Sequence, residues 1–190
     1  MRAGSLAVAL LLVSALASVA AKPRREYLRT YDAYTEHVVV YFGFSTALNM
    51  RATLLTRSMR EALHKERVRL MSPSDENAAD FEARMARDLD AYHEIVFSAD
   101  TAVQNAEKFG TTDAHWNLRM TADGVDQPLV AVEHIRRPTP VHFALYPHLN
   151  IWSELWIARF ERVTTSPRTV EVVVGSGYGS GTLTYELSPR

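Results

Sequence analysis

The hydrophobic pattern changes character several times along the chain. Leu6 to Leu16 is an apolar run interrupted only by Ser14. Beyond it, Tyr27, Leu28, Tyr31 and Tyr34 recur at steps of three and four, which places the three tyrosines on one face of a short helix over 25–36. His37 to Phe44 then reads His-Val-Val-Val-Tyr-Phe-Gly-Phe. Consecutive valines lose side-chain freedom in a helix and pack well in a strand. With Gly43 as a turn and the alternation of Thr46, Leu48, Met50 and Ala52, the pattern predicts a hairpin of strands 36–42 and 46–54. One continuous helix over 26–71 is the competing reading.

Leu55, Met59, Leu63 and Leu70 form an apolar stripe at helical spacing. Ser72-Pro73-Ser74 ends that helix, and Ser74 or Asp75 caps a second one running to Ala91, with Phe81, Met85 and Leu89 facing inward. The two form a helical hairpin over 55–91, whose outer faces mix basic and acidic residues, Arg60 and Glu66 among them, and read as solvated. From Tyr92 the period becomes two. Ile95, Phe97 and Ala99 alternate with polar neighbours, as do Trp116, Leu118 and Met120. Strands are also predicted at Leu129–Arg136, around Val141, Phe143 and Leu145, at Trp152–Arg162, around Val170, Val172 and Val174, and around Leu183, Tyr185 and Leu187. The expected class is α+β: an antiparallel β-sandwich, Ig-like in style, of about seven to nine strands drawn from 36–54 and 93–187, with the helical hairpin attached or inserted.

The first apolar run has its own meaning. Arg2 precedes it, and the small residues Ala17 to Ala21 follow, with Val19 and Ala21 suited to the positions before a signal-peptidase cut. Residues 1–21 therefore read as a signal peptide, and 22–190 as a single mature domain exported to the periplasm or the extracellular space. An uncleaved anchor is the alternative, because Lys22, Arg24 and Arg25 stand just beyond the run. No later stretch approaches the ~18 apolar residues of a membrane span.

Composition narrows the function classes. The 21 basic and 22 acidic residues leave a net charge of −1, with no basic excess for nucleic acid. The chain has no cysteine, so it has no disulfide, thiolate metal site or cysteine nucleophile.

Two stretches carry a resemblance. One contains Phe44-Ser-Thr-Ala-Leu, Arg51-Ala-Thr-Leu-Leu and Met59-Arg-Glu-Ala; the other contains Phe143-Ala-Leu-Tyr-Pro-His148 and Trp156-Ile-Ala-Arg-Phe160. Together they cover about half of the mature chain and resemble a loose group of small exported bacterial envelope proteins without assigned activity. The resemblance implies a bacterial envelope setting and transfers no site residue.

Three constellations bear on chemistry. Glu133, His134, His142 and His148 offer imidazole and carboxylate donors for a divalent metal, though without a diagnostic spacing such as His-Glu-x-x-His. Tyr146 and Trp152 flank Pro147 and suit a surface that binds a protein or a glycan, whereas Trp156 fits the inward face with Phe160. Gly175 to Gly181 superficially resembles a phosphate loop, but the strand pattern after it predicts a hairpin turn. No residue set reads as catalytic. The expectation is a non-enzymatic binding or structural module for another envelope protein, with no required cofactor. The alternative is a metal-binding protein or hydrolase built on Glu133, His134, His142 and His148.

Overall fold

The computed structural model describes residues 22–71, 75–101, 109–110 and 114–187. The expected signal segment 1–21 lies outside these residues, as do the side chains of Phe81 and Met85. The elements run α1 (Arg25–Ala33), β1 (Thr35–Phe42), β2 (Ser45–Leu54), α2 (Arg57–Met71), α3 (Asp75–Ala91), β3 (Tyr92–Thr101), β4 (Asn117–Ala122), β5 (Val125–Gln127), β6 (Leu129–Ile135), α4 (Pro140–Leu145), β7 (Leu155–Glu161), β8 (Thr169–Ser176) and β9 (Gly179–Glu186). The valine-rich stretch does form a hairpin, and the continuous helix over 26–71 is excluded. β1 and β2 pair antiparallel from Thr35↔Thr53 to Phe42↔Ser45, with a bulge after Val40.

The strands form two antiparallel sheets, ordered β1-β2-β3-β7-β6 and β5-β4-β8-β9. The alternation read from the sequence sets what lies between them. Leu48, Met50 and Ala52 of β2, Ile95 and Phe97 of β3, and Trp156, Ala158 and Phe160 of β7 share one core with Leu118, Met120, Val170, Val172, Val174, Leu183 and Tyr185 of the smaller sheet. The opposite face of the larger sheet is also apolar. Val96 and Leu155 pack there against Tyr27 and Tyr31 of α1, Leu55, Met59 and Leu63 of the α2 region, and Leu145 of α4. β3 consequently has an unbroken buried run from His93 to Phe97, the mark of a strand covered on both sides.

The structure corrects three expectations. Val141, Phe143 and Leu145 lie on the short helix α4, not on a strand. Thr139 in extended conformation and Pro140 at the first helical position start that helix, because proline presets the helical φ. The strand expected from Trp152 begins only at Leu155. Arg60 and Glu66, expected on the solvated face of the helical hairpin, are buried. Glu66 accepts the Arg24 backbone N–H at 3.2 Å and pairs with Arg69 at 2.6 Å, which holds its carboxyl below the ordinary range despite burial.

The sheets meet at both margins. Pro128 alone separates β5 from β6 and carries the chain from the smaller sheet to the larger. At the other margin β9 leans on β1. A Cβ at Gly181 would stand well inside contact distance of Val38 Cγ2, and one at Gly179 would stand 3.0 Å from Val40 Cγ1. The Tyr185 hydroxyl crosses between the sheets and donates to the Ala52 carbonyl at 2.9 Å. The glycine run is thus a β-hairpin whose missing side chains let two strands approach.

Gly181→Ala should destabilise the fold by about 1–3 kcal/mol through overpacking. Val38→Ala in the same chain should recover part of that loss, because the two sites touch. Denaturant melts of the two single variants and the double variant measure it; strictly additive losses would contradict the contact.

Candidate functional site

The segment between α4 and β7 gathers more of the sequence-predicted residues than any other. Its inner side is held by the tyrosine face of α1. The Tyr27 hydroxyl donates to the Leu145 carbonyl, and the Tyr31 hydroxyl is hydrogen-bonded to His148 Nδ1, with the two rings stacked at 6.1 Å. Leu145, Tyr146 and Leu149 are buried with them. Tyr146 is 6% exposed, so it is a core residue and not a surface one. The reason is the helix: a strand would have alternated its side chains, but the turn of α4 brings Leu145 and Tyr146 together over the sheet.

The outer side of the same segment is a tight turn. Leu149 N–H donates to the Tyr146 carbonyl at 3.0 Å and Ser153 N–H to the Asn150 carbonyl at 3.0 Å. Asn150 Oδ1 accepts the Trp152 N–H at 2.8 Å, and Ser153 Oγ accepts the Asn150 N–H at 3.0 Å. Such side-chain bonds to nearby backbone fix a turn. On it stand Ile151, 79% exposed, and Trp152, 84% exposed. Trp152 is exposed as the sequence reading expected, but it stands on the turn before β7 and not at the start of the strand. Ile151 was missed, although Asn150 and Ser153 flanking two apolar residues are the signal of an exposed turn. A second exposed apolar set, Tyr41, Phe42 and Phe44, occupies the tip of the β1–β2 hairpin, where Phe42 meets Tyr178 edge-on at 5.5 Å.

The four residues considered for a metal are engaged separately. Glu133 pairs with Arg159 at 3.3 Å. His134 lies on the other face of β6, stacks on Trp156 at 3.6 Å and donates to Glu154 Oε2 at 2.7 Å. His142 Nδ1 accepts the Thr139 N–H at 2.9 Å at the start of α4. His148 is bonded to Tyr31. Among the described residues, no group of three or more His, Asp or Glu side chains is placed to hold a metal ion. Burial, and secondarily Arg67, lowers the pKa of His142; burial, and secondarily Arg51, lowers that of His148 to about 4.

No family model and no curated protein matches the sequence, so the site rests on its own geometry.

His148 supplies a pH test of how the segment is held. Unfolded, it titrates near 6.5; folded, at about 4. The unfolded chain therefore binds more protons between those values. The stability contributed by neutral His148 is complete above pH 6.5 and is lost as pH falls towards 4. His148→Gln should lose less stability than the wild type over that window, by up to about 3 kcal/mol. His93 and His142, which shift in the same direction, remain in both proteins. Denaturant melts across this pH range measure the difference, and parallel stability curves would contradict it.

Proposed function

We propose that the protein is a non-enzymatic binding module of the bacterial envelope, exported by its N-terminal segment and docking another envelope protein through Trp152 and Ile151. The observation that carries this reading is the presentation of an exposed indole on a turn already closed by its own hydrogen bonds. A large aromatic side chain that is ordered before binding loses little entropy on association and is a frequent energetic anchor at interfaces. The frame, Ig-like in style, suits that role: two packed antiparallel sheets hold their connecting segments at the ends. The export and envelope setting rest on the apolar run at Leu6–Leu16 and on the resemblance described above. No helix among the described residues is long and apolar enough to cross a membrane. Glycan stacking on Trp152 is the second form of the same surface, since a flat indole face also suits sugars.

The test is capture from a bacterial envelope fraction by tagged protein spanning 22–190, with mass spectrometry of what is retained. Wild type should retain a specific partner, and Trp152→Ala should weaken that partner's affinity about thirtyfold or more, the cost of losing an interface anchor of ~2 kcal/mol. Ile151→Ser should weaken it less. Equal retention by wild type and Trp152→Ala, or no retention by folded wild type, would overturn the reading.

A further inference from the structure

The helices do not close fully over the larger sheet. Between them lies a pocket of about 310 Å³, at the lower end of the size of small-molecule sites. Leu63 of α2, Val96 of β3, Ile135 of β6, Leu145 of α4, and Leu155 and Ile157 of β7 give it apolar walls. Arg60 reaches into the pocket from α2 with a side chain only 5% exposed. Its Nε donates to the Leu55 carbonyl at 3.1 Å. Its Nη2 is buried and has no hydrogen-bond partner among the described residues; the nearest carboxylate oxygen, Glu94 Oε1, stands 3.9 Å away.

Glu94 is already answered from elsewhere. Its Oε2 accepts Arg159 Nε at 2.9 Å, and Arg159 also holds Glu133 at 3.3 Å. Besides Arg60, the charged residues Arg67, Arg84, Glu94 and Asp88 and the imidazole of His142 line the pocket. A buried donor without an acceptor is costly, and a charged donor more so. An anionic oxygen placed on Arg60 Nη2 would relieve that cost with a charge-assisted hydrogen bond. A second negative charge on the same ligand would meet Glu94 and Asp88, and a cationic group would meet the arginines.

We propose that this pocket binds an alkyl carboxylate, a single-charged head on Arg60 Nη2 and an apolar tail along Leu63, Ile135 and Ile157. The site is separate from the Trp152 surface and does not depend on it.

The experiment is titration calorimetry of the purified protein with octanoate, octanol and octylammonium, three ligands with the same tail and different heads. Octanoate should bind one to one. Octanol should bind about tenfold or more weakly, and octylammonium should show no binding. Arg60→Met should bring octanoate down to the level of octanol, and Ile157→Trp, which narrows the tail end of the pocket, should weaken octanoate about tenfold or more. Should Arg60→Met fail to fold, the head-group series on wild type and Ile157→Trp decide the matter. Trp152→Ala should bind octanoate as wild type does, so that failure here is distinct from failure of the docking surface. Absence of octanoate binding, or equal binding of all three ligands, would overturn the proposal.

Discussion

Both faces of the larger sheet must be covered, and the rest of the molecule follows from that constraint. Ile95 and Phe97 of β3 point into the core shared with the smaller sheet, while Val96 between them points the opposite way into the helical layer. Ile157 and Leu155 alternate with Trp156 and Ala158 on β7 in the same manner. Leaving either face in water would forgo the burial of several large side chains, each worth about 1.5–3 kcal/mol. The smaller sheet answers one face. α1, α2 and α4 answer the other.

The helical layer therefore has a structural duty that also shapes the two proposed sites. α1 contributes two tyrosines whose rings bury against the sheet while their hydroxyls reach Leu145 and His148. Those bonds satisfy polar groups that the covering segment would otherwise bury unpaired. They also hold the α4–β7 segment flat, so its inner residues complete the core and its outer turn projects Ile151 and Trp152. Where α2 and α4 diverge above β3, β6 and β7, the layer leaves the pocket around Arg60. Glu94, on the helix-facing side of β3, brings a carboxylate into that seam, and Arg159 of the neighbouring strand meets it at 2.9 Å.

Much of this was legible in the sequence, for physical reasons that differ from element to element. The β1–β2 hairpin was readable because three consecutive valines disfavour a helix whatever surrounds them. β8 and β9 were readable because Val170, Val172 and Val174, then Leu183 and Tyr185, alternate cleanly, one face in the core and one outside. α4 was misread because Val141, Phe143 and Leu145 also alternate. Over six residues the start signal of Thr139 and Pro140 is the stronger indicator, and it was not weighed. The misreading had a consequence at the site: it sent Tyr146 to the surface and separated it from Leu145. The exposure of Trp152 was legible because a tryptophan near a proline turn stands out by itself. Arg60 was not, because on α2 it looks like any other charge of a solvated helix; only its meeting with Glu94, on a strand beyond a second helix, marks it as buried. The histidines illustrate the same gap in reverse. They are close along the chain, yet β6, α4 and the following turn send them to different partners.

The central claim is that the α4–β7 segment is ordered before any partner arrives, and amide hydrogen exchange of the free protein tests it most directly. The account predicts that the N–H groups of Leu149, Asn150, Trp152 and Ser153, which donate to Tyr146, Ser153, Asn150 and Asn150 respectively, exchange well below the rates of an unstructured chain. Exchange of these amides at unstructured rates, while those of β3 remain protected, would contradict it.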